Sequence, residues 1–177
     1  MDDLKDVREV LQRNPGLRWG FVIYRCTYDD DEKWVRFMNH LNTRVRLNLD
    51  EDGSGFLFDR IDWAVQEDRL TLENAGPSRV RRKFAQWVED NRQSDDWLGT
   101  PRFQFCAMVV QSDVDSVLDG PPAEEFDYDG DGVLTIVSLD EDEGDQDVGL
   151  SYLVPRIYTL LEGAGWSNIV IDGVALP

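Results

Sequence analysis

The sequence predicts an α+β fold, in which helices pack on one face of a single-layer, mainly antiparallel sheet in the manner of a ferredoxin-like sandwich. Three observations support this prediction. The chain of 177 residues is 41% apolar and 11% aromatic, which is enough for one hydrophobic core. Helix-like and strand-like segments alternate along it, and a glycine-rich acidic loop joins two strand-like segments as a hairpin would. A doubly wound α/β sheet is the alternative.

The amino-terminal half predicts two helices and two strands. Leu4, Val7 and Leu11 share one helical stripe, so the chain should begin with a short amphipathic helix. A run rich in aromatic and β-branched residues then predicts the first buried strand. A period close to 3.6 residues indicates a helix of about four turns, and a short apolar run indicates a second strand. In chain order these elements cover residues 2–12, 17–28, 31–45 and 61–67.

The carboxyl-terminal half predicts two more helices and three strands. A Gly-Pro-Ser sequence marks the start of one helix, and a proline lies near the start of the other. Without the short first helix, the core order is βαβαββαβ. The helices cover residues 76–91 and 155–163, and the strands cover residues 102–111, 133–139 and 166–172. We expect residues 1–177 to form a single domain, because the chain has neither a long linker nor an internal repeat.

The negative charge is concentrated in one stretch. The chain carries 36 Asp and Glu against 18 Lys and Arg, a formal charge of −18. Residues 111–150 hold 14 of these acids and no Lys or Arg, and we call this stretch the acidic segment. Such a density repels phosphate backbones and anionic lipid, which argues against nucleic acid and membranes as direct partners. Two interpretations stay open: the acids engage a basic partner, or they form a solvated loop.

The chain shows no signature of a secreted or membrane protein. Its longest apolar runs are far shorter than the about 18 residues that a spanning helix needs. The amino terminus is acidic and lacks the basic and apolar regions of a signal peptide. Cys26 and Cys106 lie in apolar strand-like runs, where we expect buried, reduced thiols. These features predict a protein of the cytoplasm or the nucleus.

One local pattern resembles a metal site. Asp127, Asp129 and Asp131 occupy the first, third and fifth positions of a calcium-loop sequence that has a glycine at its sixth position. The twelfth position should hold a bidentate Glu, but it holds Ser138. Asp-Gly pairs also form ordinary tight hairpin turns. We therefore expect no cofactor, with calcium at this loop as the alternative.

Aromatic residues on predicted core elements are candidates for lining a small-molecule pocket, because such pockets are mostly apolar with a few convergent polar groups. Packing within the core is the other explanation. The aromatic residues in question are Trp19, Tyr24, Trp63, Trp87 and Trp166. The residues that we single out as candidate ligand contacts are Tyr24, Arg25, Trp63 and Arg102.

Catalytic chemistry finds little support in the sequence. The basic run at residues 79–83 offers guanidinium donors for an anion, although such a run is more often the solvated face of an amphipathic helix, which is the interpretation we favour. His40, the sole histidine, is expected on the exposed face of its helix. Neither cysteine has the spacing of a thiolate nucleophile, and the chain has no phosphate loop or serine elbow. We expect no catalytic residue, and the sequence favours a protein that is not an enzyme.

Four stretches carry a resemblance to a known family. They are WGFVIYRCTY at 19–28, Asp62-Trp63, VRRKFAQWV at 80–88 and LVPRIYTLL at 153–161. Together they resemble a family of uncharacterised proteins from filamentous fungi, over residues from about 17 to 167. The chain departs from the family at residues 169–173. The resemblance implies an intracellular, single-domain protein and transfers no activity, cofactor or site residue.

These observations lead to three functional hypotheses. The first is a non-enzymatic interaction module whose acidic segment and exposed helix faces engage a protein partner. The second is a small-molecule enzyme or binder with an aromatic pocket. The third is calcium binding at residues 127–131. A homodimer is a further expectation, because an open sheet leaves an edge or a face that a second copy can cover.

Overall fold

The structure, a computed structural model, describes residues 4–91, 100–162 and 165–177. Its strands are β1 (Val22–Arg25), β2 (Phe105–Val109), β3 (Val133–Ser138) and β4 (Asp145–Gly149). Its α-helices are α1 (Lys5–Arg13), α2 (Asp31–Glu51), α3 (Arg69–Leu72), α4 (Pro77–Asp90), α5 (Pro101–Gln104), α6 (Gln111–Asp119) and α7 (Tyr158–Leu160). Turns of 3₁₀-helix occur at Gly55–Arg60, Leu150–Tyr152 and Gly165–Asn168, and a π-helical stretch occurs at Leu153–Ile157.

The four strands lie side by side in the order β1-β2-β3-β4. β1 and β2 are parallel, whereas β2 with β3 and β3 with β4 are antiparallel. Beyond β1, residues 61–66 run parallel to it: Gln66 bridges to Tyr24 of β1, and Ile61 bridges to Trp19, which precedes β1. On the far side, Ala175 bridges in the same way to Val148 of β4. Both outer strands are therefore partly covered by extended chain.

The α+β class is confirmed, and the helices cover both faces of the mixed sheet, which differs from the predicted one-face arrangement. One core joins the face that carries Phe21 and Ile23 to α1, α2, α6 and the carboxyl-terminal helical turns. A second core joins the opposite face, which carries Tyr24 and Cys106, to α4. The physical reason is that β1 and β2 are apolar and buried on both sides, and such strands need cover on each face. β1 and β2 are also direct neighbours, whereas a strand separates them in the split βαβ unit of a ferredoxin-like fold.

The helix predicted after the first strand forms and is longer than expected. The carboxylate of Asp30 accepts a hydrogen bond from the backbone N–H of Lys33 at 3.0 Å and caps the amino terminus of α2. Trp34, Leu41 and Leu49 lie on the buried stripe of α2, which packs on the first core. Burial of each such side chain contributes roughly 1.5–3 kcal/mol, so the stripe holds the helix in place over its whole length.

The acidic segment contains structure that the sequence did not predict. Its first residues form α6, and residues 145–149 form β4 against β3. In β4, Gln146 and Val148 point inward while Asp145 and Asp147 are exposed, the alternation expected of a half-buried strand. The segment is thus built into the sheet by an antiparallel pair, and only the residues between these elements are loops.

Three predicted elements differ in the structure. Residues 61–67 form two isolated bridges instead of a continuous strand. In place of the helix predicted at 155–163, the chain forms the π-helical stretch Leu153–Ile157 and the short α7, because Val154 is extended before Pro155, as residues before proline usually are. Residue 163 lies outside the described residues. The fifth strand predicted at 166–172 was wrong: this segment starts with the 3₁₀ turn Gly165–Asn168.

Cys26 and Cys106 are both buried and free, as expected. Burial raises the pKa of the Cys26 thiol to about 12 and that of the Cys106 thiol well above its ordinary value. Neither thiol is therefore a nucleophile at neutral pH. Within the described ranges, none of the helices has the length and apolar character needed to cross a membrane.

Candidate functional site

Two of the predicted ligand contacts, Tyr24 and Arg25, lie at the carboxyl end of β1, which pairs in parallel with β2. Ligands of sheets with parallel strands commonly bind outside these ends. Here β1 ends at Arg25, and the neighbouring extended segment 61–66 leads directly into Glu67 and Asp68. Just after β1, Thr27 donates a hydrogen bond to the side-chain amide oxygen of Gln111, the first residue of α6. This edge of the sheet is polar.

Arg25 is buried at this edge, and its donors are used within the protein. Its guanidinium donates to the backbone oxygen of Thr27 at 2.7 Å and forms ion pairs with Asp31 and Glu67, at 2.5 and 3.5 Å. The guanidinium also lies over the Tyr28 ring, 4.5 Å from its centroid. Arg25 therefore positions the two loops at the end of β1 and has little capacity left to hold a ligand directly.

Beside this edge, between the strand ends and α4, lies a cleft of about 360 Å³ that we call the Tyr24 cleft. Tyr24, Leu72 and Trp87 supply its apolar walls, and Glu67, Asp68, Lys83, Gln66, Gln86 and Asp90 supply its polar groups. The hydroxyl of Tyr24 is buried and has no hydrogen-bond partner among the described residues. Most buried polar groups are hydrogen-bonded, so such an exception calls for an explanation.

Arg102 lies near this cleft but serves a structural role. Its guanidinium is 5.5 Å from the centroid of the Trp87 ring, and Trp87 is one wall of the cleft. Arg102 donates to the backbone oxygens of Gly20 and Asp62 and forms an ion pair with the Asp62 carboxylate at 3.2 Å. Burial lowers the pKa of this guanidinium. The side chain clamps the chain before β1 to the segment that runs beside it.

Trp63 lies elsewhere. Its indole N–H donates to the side-chain oxygen of Asn42 at 2.8 Å, and its ring lines a separate groove of about 500 Å³ between α2 and the 3₁₀ turn Gly55–Arg60. The four predicted contacts therefore do not converge: Tyr24 lines the cleft, Arg25 and Arg102 support its surroundings, and Trp63 is remote from it. Among the other aromatic candidates, Trp19 packs edge-on against Tyr158, and Trp166 stacks on Phe105, both within the first core.

The predicted calcium loop forms a tight turn. The carboxylate of Asp127 is buried and accepts hydrogen bonds from the backbone N–H groups of Gly130 and Gly132, at 3.0 and 2.8 Å. Asp129 and Asp131 are exposed. In the described part of the chain, the structure contains no group of three or more His, Cys, Asp and Glu side chains that could hold a metal ion. Asp127 thus stabilises the turn that leads into β3.

The basic run on α4 is largely occupied by the protein itself. Arg81 donates to the backbone oxygens of Ser138 and Gly144, at 2.8 and 3.1 Å, and so fastens α4 to the β3–β4 hairpin of the acidic segment. Lys83 pairs with Asp68 at 3.4 Å, and Arg79 donates to the backbone oxygen of Thr71. The run acts as an electrostatic contact to other parts of the chain.

His40 is half-buried instead of exposed. Burial is the main cause that lowers its pKa, and the carboxylates of Glu124 and Asp127 oppose that shift. These carboxylates belong to the loop before β3, which covers this part of α2. His40 is less exposed than predicted because this loop packs across a face of α2 that is polar in the sequence.

That loop carries a group of aromatic and acidic residues that we call the acidic–aromatic patch. The ring of Phe126 is 4.7 Å from the Tyr128 centroid and 4.9 Å from that of Tyr152. Tyr128 is 74% exposed, which is unusual for so large a ring. The carboxylates of Glu124, Glu125 and Asp129 in the same loop are exposed. The patch consists of Glu124, Glu125, Phe126, Tyr128, Asp129 and Tyr152.

Contacts beneath the patch fix its shape. Arg44 of α2 is almost fully buried, lies over the Phe126 ring at 5.4 Å and donates to the backbone oxygen of Ala123 at 3.0 Å. The hydroxyl of Tyr152 donates to the backbone oxygen of Tyr128 at 3.1 Å. The loop is therefore held from below by α2 and from the side by the turn after β4.

Comparison with protein-family models, with curated proteins and with solved structures found no match to this chain. Any functional inference therefore rests on the geometry of the Tyr24 cleft and of the acidic–aromatic patch. The resemblance to proteins of filamentous fungi stays a prediction.

Sequence analysis missed most of the residues that build these regions. Glu67, Asp68 and Asp90 at the Tyr24 cleft are ordinary surface acids in the sequence, and only the parallel pairing beside β1 brings the first two to a strand end. Phe126 and Tyr152 come together from separate loops. A usable signal did exist for the patch, because Phe126 and Tyr128 are the only aromatic residues of the acidic segment.

Proposed function

We propose that this protein is a non-enzymatic interaction module that binds a basic segment of a protein partner at the acidic–aromatic patch. The observation that carries the proposal is the exposed Tyr128 ring, held in a fixed loop among carboxylates. Exposed aromatic surface bordered by charge is typical of interaction sites. A loop that served only to keep the protein soluble would not need an aromatic ring held in this exposed position.

The charge of the acidic segment supports this proposal. Of its 14 acids, only Asp115 forms an ion pair within the described structure, with Lys33 at 3.3 Å. The remaining carboxylates of the segment repel one another on a folded scaffold and cannot move apart freely. A basic partner relieves that repulsion, and its approach is accelerated by the field of the whole segment.

Arginine is the side chain that matches the patch most closely. A guanidinium stacks on an aromatic face and donates paired hydrogen bonds to a carboxylate in the same plane. Tyr128 offers the face, and Glu124, Glu125 and Asp129 offer carboxylates in the same loop. Arg44 already makes this kind of contact with Phe126 from the inner side. The partner segment is therefore expected to be rich in arginine and poor in acids.

The proposal is tested by titrating a fluorescent peptide of arginine, glycine and serine against three forms of the protein. The patch variant carries Tyr128→Ala with Glu124→Gln and Glu125→Gln. We expect it to bind the peptide about tenfold more weakly than the unchanged protein, because it loses a cation–π contact and two charges. The affinity of the unchanged protein should fall as salt is added.

The matched control removes two acids from the tip of the β3–β4 hairpin, with Glu141→Gln and Asp142→Asn. Both residues are exposed and belong to the same acidic segment, but no aromatic ring accompanies them. Their removal should change affinity by much less than the patch variant does. An equal loss in both variants would show that the peptide senses only net charge and would refute a defined site.

The location and assembly of the module belong to the same proposal. Two free, buried cysteines fit a reducing compartment such as the cytoplasm or the nucleus. The formal charge of −18 argues against nucleic acid as a direct ligand. A homodimer remains part of the proposal, and sedimentation at several concentrations measures it.

A further inference from the structure

The Tyr24 cleft carries a second inference, which does not depend on the acidic–aromatic patch. The cleft lies where the extended segment 61–66 ends beside β1, and α4 forms its opposite wall. Its volume of about 360 Å³ is at the lower end of the range found for small-molecule sites, about 300–1,000 Å³. Leu72 and Trp87 give it apolar walls.

Two tyrosine hydroxyls on this side of β1 have no hydrogen-bond partner among the described residues. Tyr24 is 1% exposed and lines the cleft. Tyr28 packs on the same second core, and burial is the main cause that raises the pKa of its hydroxyl to about 12, with the carboxylates of Glu67 and Asp68 adding to the shift and Arg25 opposing it. A buried hydroxyl without a partner is destabilising, and Tyr24 is part of the cleft wall, so a group that enters the cleft beside this ring would supply the missing partner.

The charged groups of the cleft determine whether a positively or a negatively charged ligand is favoured. Its lining contains the carboxylates of Glu67, Asp68 and Asp90 and one ammonium group, that of Lys83. Lys83 is already paired with Asp68, at 3.4 Å. Glu67 and Asp90 keep oxygens that face solvent, although Arg25 lies 3.5 Å from the former and Gln86 donates to the latter. An anion would meet repulsion here, whereas a cation would meet attraction.

We infer that the Tyr24 cleft binds a small amino alcohol, whose hydroxyl group pairs with the Tyr24 hydroxyl and whose ammonium group lies among Glu67, Asp68 and Asp90. A tyrosine hydroxyl both donates and accepts, so a ligand hydroxyl satisfies it in both senses. An ammonium group donates up to three hydrogen bonds, which suits a ring of carboxylates at the mouth. The short aliphatic chain between the two groups then contacts Leu72 and Trp87.

The test compares three probes of the same length: aminobutanol, butanediol and hydroxybutanoate. They carry a positive charge, no charge and a negative charge, and each has the hydroxyl group. Binding is measured by calorimetry and by ligand-observed NMR on the full chain. We expect aminobutanol to bind about tenfold more tightly than butanediol, and hydroxybutanoate not to bind. Equal binding of the three probes, or binding of none, would overturn the inference.

Two variants test the Tyr24 hydroxyl and the carboxylates of the cleft separately. Tyr24→Phe should weaken aminobutanol binding about tenfold and should raise the melting temperature of the free protein, because it removes an unsatisfied hydroxyl. Glu67→Gln with Asp90→Asn should abolish the preference for aminobutanol over butanediol. Both of these acids are at the surface, so the double variant is expected to fold.

Tyr152→Phe is the matched control for the loss of a tyrosine hydroxyl. Its hydroxyl has a partner, the backbone oxygen of Tyr128, and lies outside the cleft. This variant should leave aminobutanol binding unchanged and should not raise the melting temperature. If Tyr24→Phe behaves like Tyr152→Phe in both respects, water satisfies the Tyr24 hydroxyl and the cleft is not a ligand site.

Discussion

Individual buried arginines hold the loops around the sheet, and Arg102 illustrates how. It is 5% exposed, and its donors reach backbone oxygens in the chain before β1 and in the extended segment next to it. From sequence, Arg102 was a candidate ligand contact. Its actual partners could not be predicted, since backbone oxygens leave no trace in a sequence and become partners only when the chain brings them together.

Replacement of Arg102 by methionine should therefore lower the free energy of unfolding by about 2–4 kcal/mol. The new side chain fills similar space but leaves the oxygens of Gly20 and Asp62 without their donor. The measurement is urea unfolding followed by tryptophan fluorescence. Arg82→Met is the control, because Arg82 is exposed on α4 and its loss should change stability by no more than about 0.5 kcal/mol. Similar losses in both variants would contradict this role for Arg102.

At the scale of elements, the sequence predicted those whose apolar residues follow a regular period, and it was wrong about the carboxyl-terminal segment, whose backbone is held by side-chain hydrogen bonds. The buried stripe of α2 and the apolar residues of β1 are periodic, and both elements form. The segment predicted as a fifth strand is apolar too, but at Ile171 and Gly173 its backbone bonds to the side chain of Gln146 in β4. That amide donates to the oxygen of Gly173 at 2.7 Å and accepts from the N–H of Ile171 at 3.0 Å.

Gln146→Leu should loosen the carboxyl-terminal segment without unfolding the sheet. Leucine has a similar volume but removes both hydrogen bonds, so the backbone groups of Ile171 and Gly173 lose their partner. We expect a loss of about 1–3 kcal/mol in local stability. Hydrogen exchange should become faster at Ile171 and at Ala175, which bridges to β4.

Thr135→Val is the control for this prediction. The Thr135 hydroxyl donates to the carboxylate of Asp147 at 2.7 Å on an exposed part of the same hairpin. Its removal should leave exchange in the carboxyl-terminal segment unchanged. Unaltered exchange in Gln146→Leu would mean that the bridge at Ala175 alone holds the segment.

At the scale of the whole molecule, composition and charge were better guides to the structure than the predicted order of helices and strands. They indicated an α+β protein with one strongly acidic stretch, and both features are present. They did not predict that helices cover both faces, because the apolar stripe of a helix does not reveal which face of the sheet it packs on. The predicted helix α4 packs on the face opposite to α1, α2 and α6. The cleft and the patch depend on contacts between distant parts of the chain, which no local pattern contains.

The charge distribution also determines how stability should depend on pH. Asp113 of α6 is buried, and burial is the main cause that raises its pKa to about 6, although its carboxylate accepts a hydrogen bond from the N–H of Val110. The nearby carboxylate of Asp147 adds to the shift. Since the ordinary value is 3.8, the folded state binds more protons than the unfolded state between about pH 4 and 6. The free energy of unfolding should therefore rise as pH falls through this window.

We expect unfolding in urea to require about 2–3 kcal/mol more at about pH 4.5 than at about pH 7.5 from Asp113 alone. Relief of repulsion among the exposed acids adds to this gain, and salt should diminish that second part but not the first. Asp113→Asn separates the two, because asparagine still accepts the hydrogen bond from Val110 but does not titrate. The variant should keep only the salt-sensitive gain. If the unchanged protein becomes less stable over this pH range, its acids are satisfied in the folded state, and the repulsion on which the proposed partner binding relies is absent.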